Sequence, residues 1–348
     1  MGILIREADL AEDQAVLIKT LNENRDKSTD EDRYRWRYLD NPQGRARAWL
    51  AIDEAEGAVA GFTVAHPRAM CVDGEALTAW NCGDFSINKK YRTLGVAVKL
   101  RSAATACVNR GEIPFLYAHP NDRMALIHLK AGHTALGEMV RYARPMGFDR
   151  YLPELLRDSA VSSGLGWAYH KGLSAWAGSA RFRRAFQCEL HDGFSEDAPY
   201  EALMDRVRKQ VPVFGLRDLA YLKWRFGDKP SLKVFTLLLF GEGELLGYAF
   251  CSWQERVIQV HDLFSLPEAV VFNGLVAHLT EVAYSLKAQA VSVILLESHP
   301  MIHALERNGY LLRPERSKMM VHASPGAKGR RILMDKQNWF ITVGDRDV

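Results

Sequence analysis

Asp84-Phe-Ser-Ile-Asn-Lys-Lys-Tyr-Arg-Thr-Leu-Gly-Val-Ala-Val-Lys-Leu-Arg101 is the stretch from which the fold of this chain is read. A β-strand gives way to a short basic turn, and a helix opens around Gly95. A strand feeding a helix through a tight turn leaves the helix's first N–H groups unpaired, next to the positive end of its dipole, so an anion can sit there. Gly95 lets the backbone approach that anion, and Arg92 adds a fixed charge. The same pattern also describes an ordinary strand-to-helix turn with a surface arginine.

The segments downstream of this turn narrow the choice. Ile113 to Ala118 is apolar and aromatic and reads as a buried strand. His119-Pro-Asn-Asp-Arg-Met-Ala-Leu-Ile-His-Leu-Lys-Ala-Gly-His133 then reads as a helix, with Asn121 as its N-cap and Gly132 at its C-terminal end. The chain also repeats itself. Trp36-Arg-Tyr-Leu-Asp-Asn-Pro42 returns as Trp224-Arg-Phe-Gly-Asp-Lys-Pro230. Gly61 has its counterpart in Gly247, Asp84 in Asp262, and Gly132 in Gly309, in the same order. Ordered self-similarity of this kind implies two copies of one unit.

Arg92-Thr93-Leu94-Gly95-Val96-Ala97 resembles the Arg/Gln-x-x-Gly-x-Gly/Ala pyrophosphate loop of the GNAT acyltransferases, and the Asn121-to-Gly132 helix resembles that family's second motif. With the repeat, the chain resembles a tandem GNAT protein of the bacterial kind associated with sugar or exopolysaccharide assembly. The implied fold is α/β (α+β): two tandem GNAT domains, each a mixed, mostly antiparallel twisted sheet flanked by helices. The expected division is 1–147 for the domain with the acyl-coenzyme A site, 148–213 for a helical linker, and 214–348 for a degenerate second domain and tail.

The resemblance implies acetyl-CoA or another acyl-CoA as co-substrate. Its diphosphate would lie on Arg92, Thr93, Leu94, Gly95, Val96 and Ala97, and backbone groups of Phe85, Ser86 and Ile87 would meet the acyl oxygen or the pantetheine arm. Lys89, Lys90, Lys99 and Arg101 would form a basic rim, although Lys99 and Arg101 read more readily as solvated. Asn121 would open the second helix. Seven residues on, where the family carries the tyrosine that protonates the departing thiolate, this chain has His128. A histidine can give a proton near neutral pH, and the alternative is a partly exposed helix histidine. Asp84 is placed to take the amine's proton or to pin a loop, and its recurrence as Asp262 favours pinning. His119 is either a second acid–base group or an exposed loop histidine. The second copy has Val270 and Asn273 where the first has Arg92 and Gly95, Ser298 in place of Asn121, and Leu305 in place of His128. The first copy is therefore read as active. Trp36-Arg37-Tyr38 recurs in the copy without a loop and is read as architectural, the alternative being an aromatic wall for a sugar-like acceptor.

Composition limits the remaining classes. The 348 residues suffice for two domains, and 48% hydrophobic with 25% charged residues is ordinary for globular chains. A net charge of +3 argues against a dedicated nucleic-acid binder. The five cysteines show no metal-binding spacing, so no metal is expected, and they fit a reducing, cytoplasmic compartment. Neither a membrane span nor a signal peptide is expected. Gly164 to Trp176 reads as a helix packed between the domains, with an interfacial helix as the alternative. Trp339 to Val343 reads as one more strand. The expected partner is a small-molecule amine acceptor, and a homodimer fits as well. Two other functions compete: a FemX-like aminoacyltransferase using aminoacyl-tRNA, and a non-catalytic acyl-CoA-binding scaffold or sensor.

Overall fold

The computed structural model describes residues 2–25, 28–92, 94–146 and 160–346. The strands are β1 (Ile3–Glu7), β2 (Arg47–Asp53), β3 (Val59–Val72), β4 (Glu75–Ile87), β5 (Phe115–Ala118), β6 (Thr134–Pro145), β7 (Gln187–Asp192), β8 (Val213–Gly215), β9 (Phe235–Gly241), β10 (Glu244–Gln254), β11 (Val257–Ser265), β12 (Ala290–Leu296) and β13 (Leu311–Ala323). The helices are α1 (Gln14–Asn22), α2 (Glu31–Tyr38), α3 (Leu94–Asn109), α4 (Asp122–Lys130), α5 (Ala160–Trp176), α6 (Ser179–Ala185), α7 (Tyr200–Arg208), α8 (Leu219–Leu222), α9 (Ala269–Ser285), α10 (Ile302–Arg307) and α11 (Arg330–Leu333).

The repeat is visible in the element order. The series β1, α1, α2, β2, β3, β4, α3, β5, α4, β6 is answered by β7, α7, α8, β9, β10, β11, α9, β12, α10, β13. Each series ends its antiparallel strands with one parallel pair, β4 with β5 and β11 with β12. The second series begins at Gln187, inside the segment expected to be a helical linker, because β7 hydrogen-bonds along β9 as an edge strand.

The closing strands are exchanged. All strands share one sheet in the order β1-β2-β3-β4-β5-β13-β6-β12-β11-β10-β9-β7, with β8 attached to β3. Thus β6, expected to complete the first copy, pairs with β12 of the second, while β13 pairs with β5 of the first. The two exchanged strands pair with each other at the centre. Neither half can close its sheet without a strand from the other.

A second contact ties the halves together at the recurring tryptophans. Trp36 and Trp224 are buried and stack at 4.9 Å, and each indole N–H donates to the other's backbone carbonyl at 2.9 Å. This reciprocal pair accounts for the repeated motif as architecture. The recurring glycines have a steric reason: a Cβ at Gly61 would lie 2.5 Å from the Ser86 carbonyl, and one at Gly247 would lie 2.5 Å from Ser265 Cβ.

Two other expectations need correction. Trp339 to Val343 is not a strand. Trp339 and Thr342 make only isolated bridges, and the tail is fixed by burial of Trp339, Phe340 and Ile341. In α5, Leu173 packs near Gly309 while Trp167 and Trp176 stay exposed, so one side of the helix packs on the fold and its tryptophans do not. Among the described residues no helix is long and apolar enough to cross a membrane.

Candidate functional site

β4 and β5 pair only from Trp80–Leu116 to Cys82–Ala118. β5 then stops and β4 runs on to Ile87, so residues 83–87 keep β3 on one side and have no strand on the other. The opening coincides with a bulge, where Val64 faces Gly83 and Thr63 faces Phe85, leaving Asp84 as the extra residue at φ +20°. A wedge between two parallel strands, with free backbone on one wall, can take an extended chain edge-on.

At the mouth of the wedge the chain turns through Lys89–Tyr91 and enters α3. Arg92 is exposed, its Nε donating to the Ile87 carbonyl at 3.1 Å and its Nη2 to Asn24 Oδ1 at 2.8 Å. Thr93 lies outside the described residues. Gly95 is exposed, with nothing within 4 Å of where a Cβ would stand. Val96 and Ala97 turn their side chains into the core and leave only backbone to the turn. In the second half no arginine or in-register glycine stands at the start of α9: Val270 and Asn273 take the places of Arg92 and Gly95, and Gly274 lies within the helix, where a Cβ would come within 2.5 Å of the Phe186 ring. Asn121 caps α4, its side chain accepting from Met124 N at 3.0 Å.

Along β4 the side chains alternate between two faces. Cys82, Phe85 and Ile87 pack with α3 and with Ile127 of α4. On this face lies a buried polar cluster. The ligand-type atoms of Cys82, His128 and His133 all fall within 4.8 Å of one another, and the two imidazoles meet edge to face at 4.4 Å. Arg101 is buried rather than solvated. Its Nη2 donates to Thr63 Oγ1 at 2.7 Å, its Nε and Nη1 have no partner, and it sits over Phe85. The sequence offered no cue for this burial beyond the helical spacing of Arg101 from Ala97. The donor set of Cys82, His128 and His133 suits a soft transition metal, but the Arg101 charge opposes a cation there.

His128 is not the partly exposed helix histidine that was the alternative. It is 3% exposed, and burial first, then Arg101 and His133, push its pKa far below the ordinary histidine value. At neutral pH it is an uncharged imidazole, so any hydrogen bond it donates comes from a neutral N–H. Nor is His119 an exposed loop residue. It is buried edge-on to Tyr117 at 5.7 Å with both ring nitrogens unpartnered, and burial, reinforced by Arg346, holds it neutral.

Asp84 and Ser86 face the other way, toward α1 and α2. Ser86 donates to the Thr20 carbonyl at 3.0 Å. Asp84 receives Tyr38 Oη at 2.7 Å, Arg37 Nη1 at 2.9–3.0 Å and Arg25 Nη1 at 2.5 Å. Burial by itself would raise its pKa, but Arg37 and Arg25 outweigh burial and hold the carboxylate well below its usual range. A carboxylate so stabilised is a poor base, and this geometry is that of the pinning role. The structure therefore does not gather the three expected acid–base residues at one point: His128 lies on the α3/α4 face of β4, and Asp84 on the opposite face.

Sequence reasoning passed over a third group of residues. Where the halves meet, a small internal space is lined by His66, Asn81, Tyr117, Tyr221, Arg68 and Arg225, among others. His66 is buried with both ring nitrogens unpartnered, and burial lowers its pKa to about 3. The chain's tail crosses beside it, the Asp345 carbonyl accepting from Tyr117 Oη at 2.8 Å and Asn81 Nδ2 at 3.2 Å. Apart from Arg225, which belongs to the repeated Trp-Arg-aromatic motif, these residues belong to no local motif, and only the assembly of both halves brings them together.

Neither a protein-family model nor a curated protein sequence matches the chain. Solved structures do. A GCN5-related N-acetyltransferase from Anabaena variabilis ATCC 29413 superposes with a TM-score of 0.63 at 14% identity, over 92% of this chain and 72% of that one. A probable N-acyltransferase from Enterococcus faecalis V583 gives 0.61 at 11%, over 92% and 72%. Eis1 from Mycobacterium abscessus gives 0.58 at 12%, over 92% and 74%. The chain has the fold of the GCN5-related N-acetyltransferases, the GNAT superfamily.

Proposed function

We propose that this protein is an acyl-CoA-dependent N-acyltransferase that moves an acetyl or other short acyl group to a primary amine of a small polar acceptor, an amino sugar or sugar nucleotide being the favoured class. The carrying observation is the wedge between β4 and β5, with its bulge at Asp84, opening onto the uncovered N-terminus of α3 at Gly95. Phe85 to Ile87 supply a backbone edge with no strand beside it, its Ile87 carbonyl held by Arg92, and Arg92 with the Leu94–Ala97 turn supplies the anion site. Acyl-CoA brings the activated thioester. The residues of the first half, about 1–147, bind and orient it, and Val270 and Asn273 in place of Arg92 and Gly95 argue that the second half does not.

Within this reading Arg101 offsets negative charge developing on the departing sulfur, and His128 donates a hydrogen bond from its neutral imidazole. Asp84 holds the bulge in place through Arg37, Tyr38 and Arg25 rather than taking the proton. His119 is left as the neutral base on the acceptor side, which its low proton affinity makes a weak one.

Calorimetric titration with acetyl-CoA tests the proposal. A Cβ at Gly95 would meet nothing within 4 Å among the described residues, so Gly95→Trp is expected to fold and to lose acetyl-CoA binding. Binding that survives in Gly95→Trp, or its absence from the wild-type protein, would refute the assignment.

A further inference from the structure

The repeat places a buried arginine in each half, and among the described residues only that of the first half has a carboxylate partner. Arg37 is paired with Asp84 at 2.9–3.0 Å. Its counterpart in the repeat is Arg225, and the counterpart of Asp84 is Asp262. Asp262, however, is taken by Arg217 at 2.9 and 3.1 Å, together with Tyr248 and Thr342. Arg225 is thereby cut off from its expected partner. It is 6% exposed, and among the described residues its one hydrogen bond runs from Nη2 to the Arg346 carbonyl at 3.2 Å.

Among the described residues no neighbouring carboxylate takes the place of Asp262. The nearby Asp345 is shared by Arg68 at 2.9 Å and Arg217 at 2.7 Å. Among the described residues, the guanidiniums of Arg68, Arg217, Arg225 and Arg346 thus gather around the carboxylates of Asp262 and Asp345. Arg225 and Arg346 both line a chamber of about 190 Å³, with Phe226, Lys229 and His261 among its other walls and no carboxylate among the described lining residues. The same two arginines reach the smaller space of about 10 Å³, large enough for one water, where His66 and the Asn81 side-chain oxygen (Oδ1) lack partners. A buried cation without a counter-charge is costly to a fold, and one bordering a chamber of this size is matched to an anion that enters from outside.

We infer that this chamber binds an acidic group, a carboxylate or a phosphate monoester, carried by the amine acceptor, with Arg225 as the main contact and Arg346 as the second. That the anion's bearer is an acyl acceptor rests on the acyltransferase reading; the anion site does not. The acceptor class narrows accordingly to amines that also carry an acid.

Isothermal titration of the full chain without acyl donor decides the matter, using three probes on one scaffold: glucosamine, glucosamine 6-phosphate and 2-amino-2-deoxygluconate. At least one acidic probe is expected to bind about tenfold tighter than glucosamine or better, the scale of a charge-assisted hydrogen-bonded contact. Whichever acid binds tighter identifies phosphate or carboxylate as the source. Arg225→Gln should remove the preference. Arg346→Gln, at a half-buried position that tolerates change more readily, should reduce it several-fold and serves as the second variant if Arg225→Gln does not fold. Equal affinity for all three probes, or a preference unchanged in both variants, would overturn the inference. Acid-selective binding with no acyl transfer to any probe would leave the anion site standing and count against the acyltransferase reading.

Discussion

Acidification probes the histidines that this fold buries uncharged. His66, His119, His128, His133 and His299 are each at most 8% exposed, and burial pushes all five pKa values down, those of His66 and His299 to about 3. In the unfolded chain a histidine titrates near pH ~6.5, so below that value the unfolded state binds protons that the folded state refuses. Stability is therefore intact above that pH and is lost as the pH falls through it, with the loss continuing toward the depressed folded values. Between about pH 7.5 and about pH 5.5 each such histidine costs ~1.4 kcal/mol, or ~7 kcal/mol for five acting independently. Set against a typical total of ~5–15 kcal/mol, this would bring the protein close to unfolding. Asp84 leaves this window clean, because its depressed pKa acts only below about pH 4. Urea denaturation at the two pH values measures the difference, and replacing His119 with Phe should lower the proton uptake on unfolding by about one. A stability change smaller than ~2 kcal/mol, with an unchanged urea dependence, would show that these imidazoles are not held neutral by burial.

The other predictions concern the join between the halves and the wedge. Trp224→Ala removes the stacked indole and leaves the Trp36 carbonyl without its donor, and should cost ~3–5 kcal/mol in denaturant unfolding; a loss below ~1 kcal/mol would mean that the pair does not tie the halves together. Gly247→Ala should destabilise by ~1–3 kcal/mol, because the new methyl group lands against Ser265; an unchanged melting midpoint would contradict the close strand approach. His128→Ala should lower kcat ~10–100-fold with little change in KM for acetyl-CoA, and His128→Tyr should restore most of the rate; near-wild-type turnover in His128→Ala would leave Arg101 to meet the sulfur's charge alone.

Much of the fold was legible in the chain itself, for local reasons. The strand-turn-helix around Gly95, the Asn121 cap and the Gly132 stop depend on the backbone preferences of a few neighbouring residues, and each appears where those preferences put it. The repeat was legible because Gly61 and Gly247, and Trp36 and Trp224, meet the same steric and packing demands twice. The tertiary structure decided the rest. A strand's sequence carries its alternation and not the name of its partner, so nothing within β6 or β13 foretold that each would leave its own half. Arg101, a charged residue of a kind that normally faces solvent, is buried because Thr63 and Phe85 from two strands stand beneath it. Arg225 repeats Arg37 in sequence, yet Arg217 and the tail's Thr342 occupy Asp262 first. A pairwise charge balance between residues distant in the chain is set by which of them arrive at the same place, and that is known only once both halves have closed.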